Sequence, residues 1–363
     1  MQPNTKMALK IYRNNLLLPL LILATFLLNA CTQNNQNTVS GQVATSSPLR
    51  MAISPYQDTA FLVNVKPLRL EQKYHISLEL LTIPWEDIIP AIASAGRTVD
   101  VGYASLTDYL TKSENINKES NDPVLFIYPL YVFKGAGFIT FNPNVPQLNS
   151  QTINNPVLVK NFLSFKIGAP KNSMCQMLLF MLTQKAGIKF SDSSFTDTTV
   201  NDGLLATENG SLDIAAAGVT QRTEAEKRHG RVVLTMDTFG TGDIDGLVCK
   251  ESVYQKRKKD IDSLIKMQFD CERYVLSDLD HHSAATLAYL KNNASTKYTL
   301  AEFKKALSHQ YFPLTLAEVA KDIISSKGKY SIAKQTAIVN QYLMNIGATQ
   351  VPRQTPKIVS LSE

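Results

Sequence analysis

Asn172 and Ser173 stand just before the apolar run 174–186, and either suits the capping position of a helix. The free backbone N–H groups of such a helix start can receive an anionic ligand group. Asp278, Asp280, His281 and His282 are metal-ligating residue types, but they fall at a helix start, where Asp and Ser are ordinary caps, so no metal is read there. Residues 238–246 (TFGTGDIDG) are Gly-rich yet lack the Lys of a phosphate loop, which excludes a nucleotide reading. The one dense basic run, Lys256 to Lys259, lies in a helical pattern and reads as a solvated face. With no basic patch interleaved with aromatics, nucleic acid is excluded as a partner. Nothing implies a cofactor.

These residues need a scaffold, and its signature is a repeat. Residues 91–105 (AIASAGRTVDVGYAS) read as a helix end, a left-handed turn at Gly96, a short buried strand and a small-residue exit. Residues 207–220 (TENGSLDIAAAGVT) repeat the phrase, with Gly210 as the turn and a strand over 212–216. Asp100 and Asp213 hold matching places. Such duplication predicts two similarly built α/β lobes, each a mostly parallel sheet flanked by helices. Ligands of open α/β sheets sit at the carboxyl ends of strands, so exits that face one another make a cleft. Gly102, Ala104 and Ser105 are small enough for a guest to approach the backbone.

In chain order, strands are expected at 49–53 and 76–83, with a helix over 58–65 between them. Pro84 and Trp85 open the next helix. A β-rich run over 122–134 leads into 135–141, a strand crossing out of the first lobe. The second lobe carries a strand at 165–168, helices at 174–186 and 200–208, a polar helix at 221–229 and a strand at 232–236. Residues 238–246 then cross back, and helices follow at 263–274, 283–290, 300–307, 316–323 and 331–344, packed on the first lobe. The domain division is 49–137 with 240–350, then 138–239, with a tail over 351–363. Two crossings between lobes make a hinged clam.

Lys6, Lys10 and Arg13 precede an apolar run from Leu16 to Leu28, the pattern of an export signal over 1–30. Three of the six net positive charges belong to it, leaving +3 for the remainder. Leu28-Asn-Ala-Cys31 resembles the lipobox of bacterial lipoproteins, in which the Cys is lipidated; an ordinary signal peptide is the alternative. Residues 31–48 are too polar to fold and read as a flexible tether, which implies anchoring to a membrane surface. An exported chain meets oxidising surroundings, where Cys249 and Cys271 could pair, although their spacing does not require it. Cys175 is the remaining cysteine.

The order of strand, Pro55-Tyr56, second strand, Ile83-Pro-Trp-Glu-Asp87 and the phrase ending at Ser105 resembles the periplasmic solute-binding proteins of ABC importers. Within them it looks like the nitrate, sulfonate, taurine and thiamine-precursor branch, over about residues 49 to 290. The resemblance implies a type II binding-protein fold. It also implies a receptor, monomeric and not an enzyme, that closes over a small polar or anionic solute and delivers it to a membrane permease. Ligand contacts would come from Pro55, Tyr56 and Gln57, from Ser105 and Leu106, from Asn172 and Ser173, and from Thr220 and Arg222. Trp85, the only Trp, either stacks on the ligand or packs at a helix start. Arg222 either pairs a sulfonate or carboxylate bidentately or lies on the surface of a polar helix. Asp243 and Asp245 read as a hinge turn, with contact to a ligand amine as the alternative. The same fold also hosts enzymes, such as menaquinone-pathway dehydratases and pyrimidine synthases, and a sensing lipoprotein is a third reading.

Overall fold

The computed structural model describes residues 47–96, 98–118, 120–191, 195–294 and 297–361. The expected export leader, Cys31, almost all of the expected tether and Arg97 lie outside the described residues. In chain order the strands are β1 (Leu49–Ile53), β2 (Leu78–Thr82), β3 (Val101–Ser105), β4 (Val124–Phe133), β5 (Gly137–Thr140) and β6 (Ile167–Ala169). They continue with β7 (Phe195–Asp197), β8 (Ile214–Ala217), β9 (Arg231–Thr235), β10 (Asp243–Lys250) and β11 (Gln310–Tyr311).

Two sheets result, ordered β2-β1-β3-β10-β4-β11 and β7-β6-β8-β5-β9. In the first, β1 runs parallel to β2 and β3, and β10 is antiparallel to β3 and β4. In the second, β6 runs parallel to β7 and β8, and β5 is antiparallel to β8 and β9. The order is one plan used twice. The parallel βα units are those expected from the repeat. Each sheet becomes mixed because a strand delivered from the other lobe (β10 or β5) enters it from the opposite direction.

The repeated aspartates have the same task in both lobes. Asp100 Oδ2 accepts from Arg50 N at 3.0 Å, and Asp100 N donates to Arg50 O at 2.9 Å. Asp213 Oδ2 accepts from Lys166 N at 2.9 Å, and Asp213 N donates to Lys166 O at 2.9 Å. Each Asp therefore ties the entry of a third strand to the first strand, fixing their register before the sheet begins. Gly210 has φ +79°, the left-handed turn the phrase requires. Gly96 is not left-handed. That helix stops at Ala93, where Ser94 donates its backbone N–H to Pro90 O and its hydroxyl to Ala91 O.

Two short crossings join the lobes, over 134–136 and 236–242. Met236 N donates to Ala136 O at 3.0 Å, which binds one crossing to the other. The second crossing ends earlier than expected: Asp243 and Asp245 are not in a turn but in β10, paired with Phe133 and Tyr131 of β4. Register shifts beside Gly246 let β10 bend there, and Tyr128 O comes so close that a Cβ would sit 2.3 Å from it. The expected helix over 58–65 is a 3₁₀ helix, Thr59–Asn64, with Asp58 as its cap.

Most C-terminal helices pack beside the first sheet, but Ile332–Asn345 reaches both lobes. Its Tyr342 ring lies against Phe180 and Phe190 of the second lobe, 5.8 and 6.4 Å between centroids. Cys249 and Cys271 do not pair. Both are buried free thiols on different elements, and burial pushes both thiols up, Cys249 to about 12. Asp278 caps the short helix Leu279–His282, accepting from Asp280 N and His281 N.

Candidate functional site

The carboxyl ends of β1 and β3 and the start of β10 bring a group of polar side chains to the level where the chain leaves the first lobe. After β1, Ser54 and the 3₁₀ turn place Asp58 in the interior. Its Oδ1 accepts from Thr59 N at 3.1 Å, and its Oδ2 accepts from Gln310 Nε2 at 2.8 Å and Gln57 Nε2 at 3.5 Å. Burial, opposed by these hydrogen bonds, pushes the Asp58 carboxyl up from 3.8 to about 6. Tyr131 of β4 turns its hydroxyl toward both Asp58 and Asp245.

After β3, Ser105 caps the helix Leu106–Asn117, its Oγ accepting from Asp108 N at 3.0 Å. Asp243 Oδ1 accepts from Thr107 N at 3.3 Å and from Ile244 N at 2.9 Å, so this carboxyl lies at the same helix start. Desolvation pushes Asp243 up to about 7, with the nearby Asp108 charge adding to the shift. Asp245 goes well above the usual carboxylate range, first from burial and then from the charges of Asp243, Asp58 and Asp108. Asp108 Oδ2 accepts from Trp85 Nε1 at 2.8 Å, and Trp85 meets Tyr56 edge to face at 6.4 Å. Burial, then the charges of Glu86 and Asp58, pushes the Tyr56 phenol up to about 12.

The second lobe meets this group through two of its own exits. Ser173 caps the helix Met174–Lys185, and Cys175 in its first turn lies near enough to Asp108 and Asp243 for their charges to raise its thiol beyond the effect of burial. Thr220, at the start of the helix Val219–Lys227, shares a 2.8 Å hydrogen bond with Tyr298. Burial and the charges of Asp58 and Tyr56 raise the Tyr298 phenol, which places it between the lobes. Lys227 also pairs with Glu302 at 3.1 Å, and Lys305 with Glu226 at 2.6 Å.

Of the residues singled out from sequence, Tyr56, Gln57, Trp85, Ser105 and Asp243 gather around the acidic group, and Thr220 reaches it through Tyr298. Pro55 is half-buried beside Tyr56, whereas Leu106 is fully buried core. Asn172, at φ +53°, donates its N–H to Gln176 Oε1 at 2.7 Å. Arg222 is neither a surface residue nor free for a ligand. It is 9% exposed, donates to Gly135 O at 3.0 Å and faces His309 Nε2 at 3.4 Å, holding the hinge.

Asp58, Asp108, Tyr131, Tyr298 and Gln310 escaped the sequence reading. Asp58 has a local signal, as the polar residue before a helical run. Gln310 has none, because it arrives on a two-residue strand paired with β4, far along the chain.

Two surface hollows of about 480 and 460 Å³ lie at the opposite end of the first sheet, one beside Val124 and Lys118, the other beside Arg50, Glu79 and Asp100. They are at the strand entries, the wrong end for an α/β ligand site.

No family model matches the chain, and no curated relative matches it. Solved structures do. The periplasmic aliphatic sulphonate-binding protein SsuA from Escherichia coli aligns over 88% of this chain and 95% of its own, with TM-score 0.61 at 14% identity. A Candida albicans gene product, described as having the generic periplasmic binding protein fold, aligns over 87% and 98% with TM-score 0.60 at 11% identity. The periplasmic nitrate-binding protein NrtA from Synechocystis PCC 6803 aligns over 70% and 68% with TM-score 0.54 at 12% identity. The class is therefore defined by architecture: a two-lobed α/β protein with the periplasmic-binding-protein fold. Within that class its fold is that of the SsuA-like binding proteins.

Proposed function

We propose that this chain is the solute-binding component of an ABC-type importer, which traps a small organic solute between its lobes and hands it to a membrane permease. One observation carries the reading: buried polar side chains converge at the strand exits where two short crossings join two equivalent sheets. A solute held by Asp58, Asp108 or Asp243 on one side and by the exits near Cys175 and Thr220 on the other bridges the lobes only when they are together. Differential affinity for that state then shifts the hinge equilibrium. The binding proteins reported above support the general kind of function, since SsuA and NrtA are named for sulphonate and nitrate binding.

The proposal includes export to the periplasmic side, anchoring through a lipidated Cys31, a monomeric receptor and the division into lobes at 49–137 with 240–350 and 138–239. Trp85 gives the direct assay, because the sole Trp sits against Tyr56 and Asp108 at the strand exits. Native mass spectrometry of freshly purified protein identifies a carried-over solute, and adding that solute to stripped protein changes Trp85 emission saturably. A protein that carries nothing and shows no emission change with any amine, amino acid, sulfonate, nitrate or pyrimidine refutes the reading.

A further inference from the structure

The expected ligand is polar or anionic, and several of the donors that would hold an anion are already occupied. At the helix Leu106–Asn117, Thr107 N goes to Asp243 and Asp108 N to Ser105 Oγ. At the helix Met174–Lys185, Gln176 N goes to Ser173 Oγ and the preceding Asn172 N to Gln176 Oε1. The Arg222 guanidinium faces Gly135 O and His309. Among the described residues, no Lys, Arg or His pairs with Asp58, Asp108, Asp243 or Asp245.

What is left over is mostly acceptors, the Thr107 and Tyr131 hydroxyls apart. Gln57 and Gln310 both direct their amide nitrogens at Asp58, so their carbonyl oxygens face away from it, and neither oxygen has a partner. Gln57 is 2% exposed and Gln310 8%. Asp243 Oδ2 and Asp245 Oδ1 are buried as well, with only hydroxyls, those of Thr107 and Ser105 for Asp243 and that of Tyr131 for Asp245, turned toward the two carboxyls. Asp243 and Asp245 are two apart on β10, hence on one face. Tyr131 links Asp245 to Asp58, and Asp243 shares its helix start with Asp108. Two buried Gln oxygens thus lack a donor beside an acidic group that has hydroxyl neighbours but no cationic partner among the described residues. Buried acceptors are normally matched, and an unmatched set marks the place of a missing donor.

Resting on the solute-binding reading above, we propose that the interlobe site takes a small organic cation with several N–H donors, of the primary ammonium or guanidinium class. Such a group supplies the positive charge that the four carboxyls lack and the donors that the two Gln oxygens lack. A sulfonate or nitrate brings only acceptors and a like charge. Each ionised carboxylate about 5 Å away lowers an anion's affinity by about two orders of magnitude in a protein interior. The Tyr56 and Trp85 rings beside Asp108 flank the cation's organic part, as aromatic faces do for alkylammonium groups. Burial raises Asp243 to about 7 and Asp245 well above the usual carboxylate range, so near neutral pH the unliganded protein holds protons there that a bound cation expels.

The test uses purified, ligand-stripped protein with putrescine and agmatine as cations, and ethanesulfonate and nitrate as anions. A saturating cation raises the unfolding temperature by about 5 °C at a hundredfold excess over Kd. Calorimetry in buffers of different ionisation enthalpy registers proton release with it. Asp245→Asn weakens the cation by about tenfold or more. Asp108→Asn, at a partly exposed site where the amide oxygen still accepts from Trp85 Nε1, does the same should Asp245→Asn fail to fold. Binding of the anions but not the cations overturns the proposal and leaves the importer reading standing. Cation affinity unchanged in both variants overturns it too, placing the cation elsewhere. No binding by any of the four overturns it and counts against the importer reading as well.

Discussion

Replacing Asp58 by Asn isolates the consequence of burying a carboxyl among other carboxyls. Asp58 is 4% exposed, and burial raises it from 3.8 to about 6. Between those values the native state keeps a proton that the unfolded chain has released. The native state binds more protons there, so stability falls as pH rises across the window. Below about pH 4 both states hold the proton and the term vanishes; above about pH 6 it is fully developed. Roughly two units at 1.36 kcal/mol per unit make it about 3 kcal/mol. The Asn side chain keeps the hydrogen bond from Thr59 N, and a flip of the Gln310 amide turns its unpartnered oxygen toward the new Nδ2. The assay is urea unfolding of ligand-free wild type and Asp58→Asn, followed by far-UV circular dichroism from about pH 4 to about pH 7.5. The variant's stability relative to wild type should improve by about 3 kcal/mol between those limits. Paired carboxylates elsewhere, such as Asp270 with Lys73, bias both proteins equally and cancel in the difference. A difference independent of pH, or one that shrinks as pH rises, refutes the argument and means that Asp58 is ionised and matched in the native protein.

The duplicated clamp makes a symmetric prediction. Asp213→Ala loses the bonds from Lys166 N and Asn142 Nδ2, both 2.9 Å, and Asp100→Ala loses its contacts with Arg50. Each should cost about 1–2 kcal/mol, because the stranded donors remain within reach of water. The sites lie in different sheets, so the double variant should be additive within about 0.5 kcal/mol; strong non-additivity in denaturant unfolding would contradict the picture of separate clamps. Gly246→Ala drives a Cβ to 2.3 Å from Tyr128 O and 2.9 Å from Pro129 Cα, backbone atoms that cannot step aside. It should destabilise by about 3 kcal/mol, and near-neutral thermal unfolding would mean that the β10 bend is not fixed by this contact.

What the sequence disclosed was local and periodic. The phrase around Gly210 and the alternation before Ser105 read correctly as turn and strand because one turn and one pleat fix them. The position of Asp58 before its 3₁₀ turn was equally local, although its burial was not. Asp243 and Asp245 were legible in principle: D-I-D has strand spacing, with both carboxylates on one face. The neighbouring glycines favoured a turn, and the contrary signal is tertiary, since β10 is held as a strand by pairing with β3 and β4.

The character of the site is less legible than its location, because charge recognition depends on which donors remain after folding. Ser173 and Arg222 are reasonable anion-binding residues when each is viewed alone. In the folded chain Ser173 Oγ accepts from Gln176 N and Arg222 is fastened to the hinge. The residues proposed to define the sign of the guest come from separated places: the 3₁₀ turn after β1, the first turn after β3, the returning strand β10 and the two-residue strand β11. No window along the chain contains more than two of Asp58, Asp108, Asp243, Asp245 and Gln310, so the gathering of these carboxyls without a cationic partner among the described residues exists only in three dimensions. On the proposed reading, a cleft of this architecture keeps its strand exits while reversing the charge it selects, because the sheets fix where the guest sits and a few carboxyls decide what it is.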